Sequence, residues 1–523
     1  MTLPNPIVPG FHPDPSITRV GDDYYLACSS FEYLPGLPVF HSRDLVHWEQ
    51  IGNVVTRPGQ LAVEKVPTLG GAWAPTIRFH DGRFWLVVTD AMGRGSLIFT
   101  ADRAEGPWSD GVVMQGVPGI DPDLAWDSDG TCFVTYSGLQ LDGDRAGEHL
   151  GIQQVRMDLE TGQALEEPRS LWSGTGLMFP EAPHLYEIDG TWYLLIAEGG
   201  TERGHAVSIA RGARPDGPFE GCPANPVLSA RSTDRPVQNT GHADLVRTPD
   251  GGWALFLLGM RPRGLTRAFS PMGRETFSTA LEWVDGWPVV QPVELTAPTG
   301  PVVRHDDFSG TELGLQWLSI RTPAADWSSL TERPGRLVVH ADGSTMDDPL
   351  PRFVGRRQQH ESAVFSVRVD STDGVGGLSL RIDERHHYDI EVGAGIARAR
   401  ARVGGLCQTW EQPIPPGPVT VQIKTEPVSG MGLDALGPDL VRLSVDSGTG
   451  TGTGTGTDSG SGSGTGSGSG SGTGSGTGPV ELAVLDGRYV SAETSASFTG
   501  RVVGMYAAEG TVAFDRFGYR GED

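Results

Sequence analysis

The stretch DPSITRVGDDYYLACSS, residues 14–30, joins a short apolar run to an aromatic-rich run through a Gly-centred turn, and the chain repeats this design four more times. The later turns and strands read DGRFWLVVT at Gly82, DGTCFVTYS at Gly130, DGTWYLLIA at Gly190 and DGGWALFLL at Gly251. The turn glycines are separated by 61, 48, 60 and 61 residues, each interval long enough for a four-stranded blade. Five such units predict a five-bladed β-propeller.

The segments before each turn are DPSITRV from Asp14, WAPTIRF from Trp73, DPDLAWD from Asp121, EAPHLYE from Glu181 and HADLVRT from His242. Trp73, Asp121, Glu181 and His242 each head their segment nine residues before the turn glycine, and Asp14 heads its own seven residues before. In a propeller that register is the head of each innermost strand, facing the central channel. Three carboxylates, an indole and an imidazole are therefore expected to converge on the axis. An acid at a strand start often does no more than cap a turn, but three at equivalent positions of a repeat point to chemistry. Like charges held close repel, and one is pushed toward its neutral form. Glycoside hydrolysis needs that asymmetry: a protonated carboxyl for the leaving oxygen and an ionised one opposite it. An acid–base separation of about 6.5–9.5 Å would leave room for water and give inversion.

The five-fold pattern closes near residue 295. We expect the propeller over 1–297, a Pro/Gly linker over 298–305, and a second domain over 306–523. There, segments such as GRLVVHA, VFSVRVD, LSLRIDE, YDIEV, VTVQIKT, VRLSVD and VELAVLD alternate as in an antiparallel β-sandwich. Residues 447–478, almost pure Gly, Ser and Thr, lack the apolar surface to fold and are read as a disordered insertion within the sandwich. The fold class is all-β throughout, and 74 Gly with 39 Pro suits many short strands and tight turns.

A formal charge of −25 argues against nucleic acid or an anionic membrane as partner, since both require a basic face. No stretch approaches 18 apolar residues, so no membrane-spanning helix is expected. The N-terminal MTLPNPIVPGFHPDP has neither a basic region nor an apolar core, which makes the cytoplasm the expected location. Cys28, Cys132, Cys222 and Cys407 are scattered without metal-type spacing; Cys28 and Cys132 lie in apolar strand sequence and read as buried thiols.

The run NPIVPGFHPDPSITRVGDDYYLACSSFEYLPGLPVFHSRDLVHWEQIG resembles the start of glycoside hydrolase family 43, especially its two-domain β-xylosidases. The likeness continues through GGAWAPTIRFHDGRFWLVVT, GIDPDLAWDSDG, PEAPHLYEIDGTWYLLIAEGGT, TGHADLV and MGRETF. In the second domain it covers DDFSG, LTERPGRL, FVGRRQQH and LDGRYVSAE. The resemblance implies that Asp14 is the general base, Glu181 the general acid, and Asp121 the carboxylate that orients the acid and raises its pKa. It implies sugar platforms at Phe31 and Trp73, where C–H faces stack on π surfaces. Arg274 matches an arginine that reaches the bound pentose. His242 matches a histidine on the axis that in some members helps hold a calcium ion, partly through water; no cofactor is otherwise expected. Homo-oligomers occur among two-domain members and are the corresponding expectation here.

Two departures stand out. Pro180-Glu181-Ala182-Pro183-His184 replaces the usual Thr-Glu-Gly-Pro-His around the acid, keeping the acid but altering its surroundings. In FTGRVVGMYAA, Val502 falls where such β-xylosidases usually place a pocket-closing Phe. Either a neighbouring residue compensates or the outer subsite differs. The expected activity is inverting, exo-acting release of terminal β-D-xylose from xylo-oligosaccharides, with α-L-arabinofuranose as a further leaving sugar. The alternatives are an α-L-arabinofuranosidase as main activity, or a non-catalytic carbohydrate-binding protein on the same scaffold. A retaining fructan- or sucrose-active propeller is disfavoured because no WMNDPNG-like start is present.

Overall fold

The computed structural model describes residues 3–141, 143–297, 300–428, 436–447 and 478–523. The tract read as a disordered insertion at 447–478 lies, apart from its two end residues, outside the described residues, as do residues 298 and 299 of the expected linker.

Five antiparallel sheets follow one another along the chain, each led by an inner strand: Ser16–Val20, Gly71–His80, Ile120–Trp126, Glu181–Ile188 and Gln238–Arg247. Each inner strand pairs with the strand after the Gly turn, as in Ser16–Val20 with Asp23–Ala27. The turn glycines Gly21, Gly82, Gly130, Gly190 and Gly251 all have positive φ, the conformation that glycine adopts without steric cost. At Asp81-Gly82 and Asp189-Gly190 both turn residues are left-handed, the two-residue hairpin signature of Asp-Gly.

The ring is held by apolar packing between adjacent blades. Leu86 and Phe99 of the second blade pack with Val39 and Val54 of the first, and Leu195 and Val207 of the fourth with Leu245 and Leu257 of the fifth. Closure joins the fifth blade to the first through Phe256, Val246, Leu26 and Ile17, with Leu3, Ile7 and Val8 from the N-terminal segment. That segment is laced to the fifth blade: Ile7 N–H donates to Thr276 O at 2.8 Å, and Asn5 Nδ2 donates to Ser278 O at 2.8 Å.

The C-terminal part forms a sandwich around Leu337, Phe365, Val421, Leu443 and Phe514. Its framework is two long strands, Ser362–Asp383 and Val502–Glu522, paired antiparallel along their length. The segments VFSVRVD and LSLRIDE, read from sequence as separate strands, are the two halves of the first. Register shifts at Ser366/Arg368, Asp370/Asp373 and Val375/Gly376 interrupt it, its first half pairing also with Val419–Pro427 and its second with His386–Gly393. Phe11, Phe31 and Tyr33 of the propeller meet Leu318, Ile320, Met346, Phe353 and Val502 in a shared apolar junction.

Candidate active site

In or just before each inner strand stands a left-handed residue, Asp14, Ala74, Asp121, Ala182 or His242, with φ between 45 and 56°. In the first four blades a proline follows, which removes the next N–H donor from the ladder. Register shifts at Trp73/Thr76, Ile120/Asp123, Glu181/His184 and Gly241/Ala243 mark the same point as bulges. Trp73 and Glu181 stand immediately before the left-handed residue of their blades, whereas Asp14, Asp121 and His242 are that residue.

Asp14 is 4% exposed, and its Oδ2 accepts from Ser29 Oγ at 2.5 Å. Ser29 Oγ in turn accepts from Ala74 N–H at 2.7 Å, tying the first blade to the second. The other oxygen of Asp14 lies 3.3 Å from Arg274 Nη1 and 3.5 Å from His242 Nδ1. Burial alone would raise the Asp14 carboxyl, but Arg274, His242 and the Ser29 hydrogen bond outweigh it and hold it below the ordinary range.

Glu181 and Asp121 are displaced the other way. Burial, then the negative charge of Asp14, pushes Asp121 up to about 7, against the Ala182 N–H that its Oδ2 accepts at 3.0 Å. That hydrogen bond fixes the backbone next to Glu181. Burial, reinforced by Asp121 and Asp14, raises Glu181 well above the ordinary glutamate value. The two titrate as an interacting pair. Ser137 Oγ donates to Pro180 O at 3.1 Å and steadies the residue before Glu181.

Arg274 is 7% exposed, with Nη1 also donating to Thr201 Oγ1 at 3.1 Å and Nε to Phe498 O at 3.1 Å. Its guanidinium lies 5.8 Å from the Phe31 ring centroid and 5.0 Å from that of Phe498. Trp73 is half-buried, its indole N–H donating to Leu69 O at 2.6 Å. Phe31 is 1% exposed and belongs chiefly to the junction core, with its ring 6.2 Å from Phe498.

Val502 is buried in the strand Val502–Glu522, paired with Arg357 and Arg381. Phe498, four residues earlier in the same run, stands edge-on to Trp73 at 5.9 Å and beside Phe31. Its loop is stitched to the fifth blade: Ser270 N–H and Oγ each donate to Glu493 at 2.7 Å, and Arg501 N–H donates to Pro271 O at 3.0 Å. The sandwich thus places an aromatic beside Trp73, Phe31 and Arg274.

Two features went unread in the sequence. Two residues beyond the bulges lies a second layer on the axis, where Arg78 bridges Asp123 at 2.7 Å and Asp244 at 2.9 Å. Ser16 Oγ donates to Asp244 at 2.7 Å, Leu185 N–H donates to Asp123 at 2.8 Å, and the Tyr186 hydroxyl donates to Asp244. Period-two alternation along each inner strand was the available signal. The second feature is His205, wholly buried, with Nδ1 3.0 Å from Asn239 O and Nε2 3.9 Å from Glu181. Burial pushes it down to about 3. Gly241 admits the ring, since a Cβ there would sit 2.4 Å from it.

Around His242 the side chains of the described residues do not form a complete set of direct calcium ligands. Calcium takes six to eight oxygen ligands. Among the described residues no group of three or more His, Cys, Asp or Glu converges as a metal set, and the carboxylates next along the axis are engaged by Arg78. Burial lowers His242 to about 4, so it is a neutral imidazole at pH 7.

A five-bladed propeller with three carboxylates and an arginine around its axis, walled by a β-sandwich, defines a glycoside hydrolase. The chain belongs to Glycosyl hydrolases family 43, which residues 3–288 match. Residues 305–426 match the Beta xylosidase C-terminal Concanavalin A-like domain. The chain is 42% identical over 418 residues to a non-reducing end alpha-L-arabinofuranosidase of Bacteroides ovatus, covering 74% of this chain and 75% of that protein. It is 40% identical over 425 residues to a xylosidase/arabinosidase of Butyrivibrio fibrisolvens, covering 76% and 81%. A solved xylan beta-1,4-xylosidase from Bacillus halodurans superposes with a TM-score of 0.84 at 29% identity, over 99% of this chain and all of that one.

Proposed function

We propose that the enzyme removes terminal β-D-xylose from short xylo-oligosaccharides with inversion of configuration. The carrying observation is the electrostatic split within one site: Asp14 is held down by Arg274, His242 and Ser29, while Glu181 and Asp121 are held up. In this reading ionised Asp14 is the general base. It takes a proton from water as the water oxygen attacks the anomeric carbon. Protonated Glu181 gives its proton to the glycosidic oxygen as that bond breaks, so one proton enters and one leaves the carboxyl pair. As Asp121 ionises, its charge keeps the proton of the pair on Glu181, and Asp121 aligns Glu181 through the Ala182 N–H. Arg274 offers fixed donors to vicinal hydroxyls, and Trp73 with Phe498 forms the apolar wall for the sugar faces. No step requires a metal.

The names of the Bacteroides and Butyrivibrio relatives favour a second reading, α-L-arabinofuranoside hydrolysis by the same carboxylates. Product analysis on a panel of xylo- and arabino-oligosaccharides tests both. Xylose released stepwise from the chain end supports the first reading, arabinose alone the second, and no release from any member of the panel removes both. We further propose an intracellular homo-oligomer; the four unpaired cysteines, three of them buried, suit a reducing compartment. Among the described residues no helix is long and apolar enough to cross a membrane.

A further inference from the structure

Between the first blade and the sandwich lies a cleft of about 260 Å³, separate from the carboxylate site. Phe40, Trp48 and His12 line it from the propeller, and Arg304, Arg356 and Arg357 from the sandwich. Arg357 is 6% exposed and Arg356 9%, yet Nε and Nη2 of Arg357 and Nε of Arg356 have no hydrogen-bond partner among the described residues. Their neighbours are aromatic: Arg357 lies 4.5 Å from the Phe11 centroid and Arg356 4.5 Å from that of Tyr519. Burial pushes Arg357 down to about 10, and burial together with exposed Arg304 lowers Arg356. Asp306, the carboxylate that acts on Arg356, already accepts the Trp317 indole N–H at 2.8 Å and Gln316 Nε2 at 3.4 Å. His12, whose pKa burial lowers first and Arg357 second, adds no competing negative charge.

Buried guanidinium groups without a counter-charge are costly, and a chain of net charge −25 has carboxylates to spare for pairing them. Among the described residues no carboxylate pairs with Arg357. A guanidinium fork matches the planar oxygens of a carboxylate or the face of a phosphate, and the Trp48 and Phe40 rings offer an apolar wall to any organic body attached. We propose that this cleft binds a small oxyanion, gripped by Arg356 and Arg357 and closed at its rim by Arg304. The shared chemistry is that of a free phosphate and of a sugar acid.

Isothermal titration of the full chain, at constant ionic strength, with inorganic phosphate and with glucuronate, tests the proposal. We expect saturable one-to-one binding of at least one probe, weakened by at least about tenfold in Arg357→Gln and Arg356→Gln, as loss of a charged hydrogen bond implies. Tighter binding of glucuronate than of phosphate would assign the cleft to a sugar acid, and the reverse order to inorganic oxyanions. Should the buried variants fail to fold, Arg304→Gln at the exposed rim carries the test and must weaken binding measurably. The proposal is overturned if neither probe saturates by about 10 mM, roughly tenfold above a constant of about 1 mM. It is equally overturned if affinity is unchanged in Arg357→Gln or, where that variant does not fold, in Arg304→Gln.

Discussion

Asp14 and Glu181 are both carboxylates at one end of one channel, and only their neighbours separate their chemistry. Asp14 has a guanidinium, an imidazole and a hydroxyl within reach; Glu181 has two like charges and burial. Glu181→Gln should cut turnover of a natural oligosaccharide by roughly 10²–10⁴-fold. The loss should be far smaller for a nitrophenyl glycoside, whose leaving group needs no proton, so initial rates on both substrates check the assignment. The pH profile should be bell-shaped, its acid limb below the ordinary aspartate range and its basic limb set by the Glu181–Asp121 pair. Asp121→Asn removes a like charge beside Glu181, so the basic limb should move to lower pH. A basic limb that stays put would sever that coupling.

At the scale of elements, the sequence was most legible where local chemistry is strict. Asp81-Gly82 and Asp189-Gly190 can hardly be other than hairpin turns, and their spacing set the blade count. The register of the axial residues was legible because the acids, Trp73 and His242 head equivalent segments, mostly before or next to a proline, where a left-handed residue recurs in every blade and a bulge in four of them. The Arg78 layer was less so, since its partners Asp123, Asp244 and His184 come from three different blades. Their meeting is a property of ring closure rather than of any segment. Phe498 was present in the run that drew attention to Val502, but sequence offers no way to see that the loop over Ser491–Arg501 folds back onto Ser270–Arg274. Phe498→Ala should raise KM by about fivefold to tenfold with a smaller effect on kcat, as expected for about 1 kcal/mol of aromatic contact. Steady-state kinetics on xylobiose reads this directly, and an unchanged KM would remove the sandwich from substrate binding.

On the scale of the whole molecule, the propeller brings acids together at a cost in stability. Asp121 carries a folded-state pKa of about 7 against an ordinary 3.8. The folded state thus holds this proton more tightly than the unfolded chain. The associated stability is complete below about pH 4 and is lost as pH rises through about 7. Asp121→Asn should therefore raise Tm at pH 8 by an amount corresponding to about 1–3 kcal/mol, and should raise it little at pH 4. Thermal melts at the two pH values check the sign. Such an exchange of stability for function fits a site in which like charges are held close to keep one proton in place.

The most direct measurement follows the anomeric protons by NMR during hydrolysis of xylotriose by the wild-type enzyme. With Asp14 activating water on the face opposite the protonated Glu181, the xylose released first should be the α anomer, with the β anomer growing in only by mutarotation. First-formed β-xylose would contradict the assignment of Asp14 as base.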